Sequence, residues 1–123
     1  MTSEQLKARS KQFALAIIAL IEKLPHTLAA QIIARQMVRS ATSVGANYRA
    51  ACRARSRTEF AARVAIAVEE ADETLHWLEL LEESGLLREE PVRLLICEAG
   101  ELVAILAASY KTASASRASR TRS

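Results

Sequence analysis

Aromatic side chains make up only 4% of the chain, and glycine and proline are limited to three and two residues. With so few large rings, a core has to be assembled from Leu, Ile, Val and Ala, which favours closely packed helices. Gly45, Gly85, Gly100, Pro25 and Pro91 are too few turn signals for an all-β domain, whose strands need punctuation about every 8 to 12 residues. The two cysteines, Cys52 and Cys97, supply neither the pairing density of a secreted disulfide scaffold nor a CxxC spacing for zinc; they read as free thiols in a reducing compartment. No run approaches the roughly 20 apolar residues that cross a bilayer. The stretch Phe13 to Ile21, behind Lys7, Arg9 and Lys11, superficially resembles a secretory signal, yet it continues in helical phase to Leu24 without a small-residue cleavage site. A cytoplasmic location with no membrane partner is the expectation.

Catalytic patterns are missing as well. There is no nucleophile elbow, no Gly-rich phosphate loop and no Cys and His arrangement that helical phases bring together, so neither an enzyme nor a cofactor is expected. Glu73 and His76 form one E-x-x-H pair, the spacing by which di-iron bundles aim a carboxylate and an imidazole at one ion. Such sites need two pairs and two further glutamates, and the other histidine, His26, sits beside Pro25, so no metal site is expected.

What the 123 residues do carry is helical periodicity and segregated charge. Thr2 and Gln5 have the spacing of a capping box, and Leu6, Phe13, Ile17, Leu20, Ile21 and Leu24 then recur at helical spacing until Pro25. Thr27 caps a second predicted helix, with Ile33, Met37, Ala41, Val44, Tyr48 and Ala51 inward, extending to about Ala54; Gly45 in its middle implies close approach of a neighbouring helix. Ser56 and Glu59 form an S-x-x-E box that starts a third, Arg57 to Ser84, with Phe60, Val64, Ala67, Ala71, Leu75 and Leu78 inward and Gly85 as its stop. Glu89, Glu90 and Pro91 begin a fourth that runs to about Lys111. The spacing predicts an all-α, antiparallel up-and-down four-helix bundle over residues 1–111. Residues 112–123, with no large apolar side chain, are expected to be a disordered basic tail.

Charge reverses along this frame. Residues 1–34 carry +2, residues 35–63 carry +6, residues 64–101 carry −9 and residues 102–123 carry +4. On the second helix Arg35, Arg39 and Arg53 fall within about 40° of one another, with Arg49 just outside, opposite the Met37, Val44 and Tyr48 face. Arg55 and Arg57 extend that stripe across the following turn, and guanidinium groups suit bidentate contact with phosphate. A solvated helix face is the plain alternative. Leu28, Ile32, Ile66, Trp77 and Leu80 lie off the core stripes, which points to a homo-oligomer contact. Ser43 and Asn47 are placed to bond across helices, with ordinary packing polarity as the simpler reading.

FALAIIALIEKLP, QMVRSATSVGANYRAA and SRTEFAARVAIAVEEADETLHWLELLEESGLL, spanning most of Phe13 to Leu87, resemble the bacterial family named for the protein encoded in the intervening sequence of 23S ribosomal RNA genes. The central segment matches that family's R-S-A-x-S-x-x-A-N pattern. The resemblance implies a cytoplasmic bundle that assembles as a homopentameric ring. It also implies kinship with the accessory variability protein of diversity-generating retroelements, which has a basic surface and is linked to nucleic acid and a reverse transcriptase. The chain has Asn47, Tyr48, Arg49, Ala50 and Ala51 where many members have A-N-I-A-E-G, so any role of that acid and glycine is absent. The resemblance carries over no catalytic residues.

Two readings follow. One is a nucleic-acid-binding accessory protein in which Arg35, Arg39, Arg49, Arg53, Arg55 and Arg57 contact RNA or DNA phosphates, with Arg117, Arg120 and Arg122 of the tail adding nonspecific affinity. The other is a purely structural, scaffolding homo-oligomer whose second-helix arginines pair with Glu70, Glu73 or Glu79 of a neighbouring copy.

Overall fold

Four helices form in chain order: α1 (Ser3–Ile21), α2 (Leu28–Cys52), α3 (Arg57–Ser84) and α4 (Glu90–Arg122). The computed structural model describes the backbone of residues 1–122 and the side chains of residues 1–115. Among these residues there is no strand. Each helix packs against its neighbours in sequence, and α4 returns to α1, so the helices stand around a common centre with no diagonal contact among the described residues. Short connections make successive helices antiparallel.

Buried positions recur mostly in steps of three and four residues along the helices. On α1 the buried positions are Leu6, Ser10, Phe13, Ile17 and Leu20, continued by Leu24 in the turn. On α3 they are Ala61, Val64, Ala67, Ala71, Thr74, Leu78 and Leu81. A mean step of about 3.5 residues keeps one seam facing the bundle axis, as in coiled coils. The predicted α3 stripe is shifted slightly: Phe60 and Leu75 are only half-buried, and Ala61, Thr74 and Leu81 take the inner places. Small residues at 61, 67 and 71 let α2 and α4 lie close on both sides.

The caps explain the boundaries. Thr2 Oγ1 accepts from the Gln5 amide and Gln5 Oε1 accepts from the Thr2 amide, completing the box at α1. α1 ends at Ile21, not Leu24, because the residue before Pro25 is pushed out of the α region; the chain tightens into turns through Lys23 N–H to Leu20 C=O (3.0 Å) and Leu24 N–H to Ile21 C=O (3.2 Å). α2 likewise stops at Cys52, and Arg53 and Ala54 close it with three-residue turns. At α3, Ser56 Oγ accepts from the Glu59 amide, but the Glu59 carboxylate takes the amide of Arg55 and not that of Ser56. Gly85, at φ +79°, ends α3 in the left-handed region that favours glycine.

α4 does not stop near Lys111. Its backbone stays helical to Arg122, so the segment from Thr112, expected to be disordered, is helical where it is described. No glycine or proline follows Gly100, and Ala113 is 6% exposed, sharing a hollow with Ala54, Phe60 and Ser109 at the α2–α3 turn. Alanine needs no long side chain to pack there. Gly45 meets the expected close approach: a Cβ at that position would lie 3.3 Å from Ser10 Oγ on α1.

Candidate nucleic-acid interface

Up-and-down topology sorts charge by bundle end. α1 and α3 begin where α2 and α4 finish, so Lys7 and Lys11, Arg49 and Arg53, Arg55 and Arg57, Arg63 and Lys111 gather toward one pole. Glu22, Glu79, Glu82, Glu83, Glu89 and Glu90 gather at the other. Blocks that alternate along the chain thereby become a basic pole and an acidic pole. The side chains of Arg117, Arg120 and Arg122 lie outside the described residues.

The arginine stripe of α2 is divided by its partners. Arg39 Nη1 donates to Glu70 at 3.1 Å and its Nη2 to Glu73, while Nε donates to Gln36 Oε1 at 3.3 Å. Both acids belong to α3 of the same chain. The bond to Glu73 is the first cause of the raised Arg39 pKa, followed by the charges of Glu70 and Glu73 against desolvation. The Glu73 carboxyl is held below its ordinary value first by the Trp77 indole, which donates at 3.1 Å, and then by Arg39, against burial. Arg39 is thus a clasp between α2 and α3. Arg35 is exposed, yet it sits about 21 Å along α2 from Arg49.

Arg49 and Arg53 have different surroundings. They line a groove of about 600 Å³ between α1 and α2, facing Lys7 and Lys11 across a floor that includes Ala8, Ala14, Gly45 and Ala46. Small floor residues are what let the two helices approach here, as the contact of Gly45 with Ser10 shows. Lys7 is bonded to Glu4 at 3.0 Å, whereas Lys11, Arg49 and Arg53 have no ion pair among the described residues. Arg55 and Arg57 border the separate hollow at the α2–α3 turn with Phe60, Ser109 and Thr112. Lys7 and Lys11 escaped the sequence reading. Their four-residue spacing was visible, but which neighbouring helix they face was not. Beneath the groove, Tyr48 is 5% exposed, and burial first, then Cys52, pushes its phenol up to about 12, so it stays neutral.

Apolar exposure concentrates elsewhere. Leu28 is 76% exposed and Ile32 49%, within about 20° of Arg39 around α2. Ile66 and Leu80 are each 38% exposed and lie within about 40° of Glu73 around α3. These four share the outer α2–α3 face. Trp77 differs from the expectation: it is half-buried, packs against the core and is tethered to Glu73. Leu15 and Ile18 on α1 and Leu94 on α4 are further exposed apolar residues that sequence phase did not single out.

The remaining polar candidates resolve locally. Ser43 Oγ donates to Arg39 C=O and Asn47 Nδ2 to Ser43 C=O, both within α2. The hydroxyl pair that crosses helices is Ser40 and Thr74, buried and 2.7 Å apart. Of the E-x-x-H pair, Glu73 already accepts from Arg39 and Trp77, and no group of three metal-ligating side chains occurs among the described residues. No described helix is long and apolar enough to cross a membrane.

Comparison with the curated proteins finds no match. A solved structure, of a protein with unknown function from the S23 ribosomal protein family of Bacteroides thetaiotaomicron, is 33% identical. It superposes with a TM-score of 0.81, over 90% of this chain and 99% of that one. The family model of the 23S rRNA-intervening sequence protein matches residues 4–108, which takes in all of the bundle that carries the groove. Fold, coverage and motif agree, and the chain belongs to the 23S rRNA-intervening sequence protein family.

Proposed function

We propose that this protein is a non-enzymatic, cytoplasmic accessory protein that holds nucleic acid by its phosphates at the basic pole. The observation that carries the reading is the α1–α2 groove, where Lys11, Arg49 and Arg53 converge without ion-pair partners among the described residues. Arginine side chains at such a site reach phosphate oxygens through paired N–H donors. Contacts of this type position a strand without reading its sequence. Arg55 and Arg57 extend the surface, whereas Arg39 serves the α2–α3 clasp.

The proposal includes self-association, with Leu28, Ile32, Ile66 and Leu80 covered in a homopentamer and Trp77 at the margin of that contact. Several copies of a modest basic surface raise overall affinity through avidity. The family resemblance adds a reverse transcriptase as the partner to try first.

Anisotropy of a labelled RNA oligomer tests the reading. Binding is expected at low salt, with Arg49→Glu plus Arg53→Glu abolishing it while the circular dichroism spectrum is unchanged. Absence of binding by the native protein to RNA and to DNA at low salt would overturn it. For assembly, sedimentation is expected to give a single multiple of the 13.5 kDa chain, and the fluorescence of the single tryptophan to shift blue as the protein associates on concentration.

A further inference from the structure

We infer that the α1–α2 groove is a track for one strand, so that the protein takes single-stranded nucleic acid in preference to a duplex. This rests on the nucleic-acid reading above and adds to it the form of the ligand. Cations stand on both walls, with the Glu4 carboxylate paired to Lys7 at the α1 side. Lys7 and Lys11 are one turn apart on α1, Arg49 and Arg53 one turn apart on α2, and the two pairs face each other across the floor. Each pair repeats at about 6 Å along its helix, a spacing that successive phosphodiesters of an extended strand can follow.

The floor sets the width. Helices packed through Gly45 and Ser10 leave a cleft flanked by two axes about 8 to 10 Å apart. A flexible sugar-phosphate chain can lie along the trough above this contact and meet donors from both sides. A duplex is a stiff rod whose two backbones are separated by grooves about 6 and 12 Å wide, and it touches only the rim. A duplex on the rim meets one wall at a time, because the exposed Lys11 stands on α1 and the exposed Arg49 and Arg53 stand opposite on α2. The lining contains no aromatic side chain on which bases could stack, so attraction is to the backbone and varies little with base composition.

The full chain is tested against a single-stranded oligomer and a duplex of the same length, at matched low salt. The single strand is expected to bind at least roughly tenfold more tightly, in keeping with the additional phosphate contacts on the second wall. Ala46→Phe and, separately, Ala8→Phe place a ring over the floor at exposed positions. Each is expected to remove that preference without changing helicity. Lys7→Gln with Lys11→Gln is expected to weaken the single strand more than the duplex. Equal or tighter binding of the duplex, or undiminished single-strand preference in both phenylalanine variants, overturns the inference while nucleic-acid binding itself stands. Failure to bind either form removes both.

Discussion

Replacing Arg49 and Arg53 together by glutamine should change the salt dependence of binding by an amount that the groove geometry sets in advance. Five cations line the two hollows of the basic pole without ion-pair partners among the described residues: Lys11, Arg49, Arg53, Arg55 and Arg57. Each phosphate neutralised on a single strand contributes about −0.7 to the slope of log K against log salt, so five give about −3.5. Raising salt from about 50 to 200 mM should then weaken binding by roughly 100-fold. With Arg49 and Arg53 neutral, the slope should fall to about −2 and the loss over the same range to about 20-fold. Glutamine keeps the long polar side chain at two exposed sites, so helix packing is not disturbed. Anisotropy of a labelled RNA oligomer at four or five salt concentrations measures both slopes. A variant that binds more weakly with an unchanged slope would show that these arginines do not meet phosphates, and a native slope shallower than about −1 would refute the phosphate track altogether.

Three other outcomes follow from the same contacts. Ser40→Ala and Thr74→Val should each cost about 1 kcal/mol, and the double variant clearly less than their sum, because one shared buried hydrogen bond is lost; additive losses in urea denaturation would contradict the pairing. Gly85→Ala should lower stability by about 1 to 2 kcal/mol because φ is +79° there, and thermal unfolding would miss the effect only if the turn were rebuilt. Arg9 donates to both oxygens of Glu98 at 2.7 and 2.6 Å, with the two side chains 27% and 26% exposed, and this bond lowers the Glu98 pKa against burial. A carboxyl whose folded pKa is depressed stabilises above its unfolded value and loses that contribution as pH falls through the folded one. Melting temperature should therefore decline below about pH 4.5, less steeply in Glu98→Gln, and an identical decline in that variant would remove the pair as a cause.

The acid pairs also show why only part of the candidate site was legible. Arg35, Arg39, Arg49 and Arg53 look equivalent on a helical wheel, since each is charged and each points away from Met37 and Val44. Their fates differ because a wheel has no neighbours. Arg39 stands beside Glu70 and Glu73 only once α3 lies alongside α2, and Lys11 joins Arg49 and Arg53 only once α1 lies on the opposite side. By phase alone Trp77 lies off the core stripe of α3. Its ring is nevertheless half-covered, because a large side chain reaches back to the core from a flanking position and finds a carboxylate for its N–H.

Local chemistry was enough for the elements themselves. Thr2, Thr27 and Ser56 cap helices because their hydroxyls accept the first free amides, Gly85 ends one because it alone tolerates positive φ, and a three–four apolar repeat leaves no other way to bury Leu, Ile and Val. Those interactions span a few residues and are written in the sequence directly. Which charges are neutralised and which are left to attract an anion depends on residues 31 to 92 positions apart, such as Arg39 with Glu70 and Arg9 with Glu101. Coulomb attraction over a few ångströms acts between side chains only after packing has brought their helices together, so the division of a uniform arginine series into clasp and groove belongs to the tertiary structure alone.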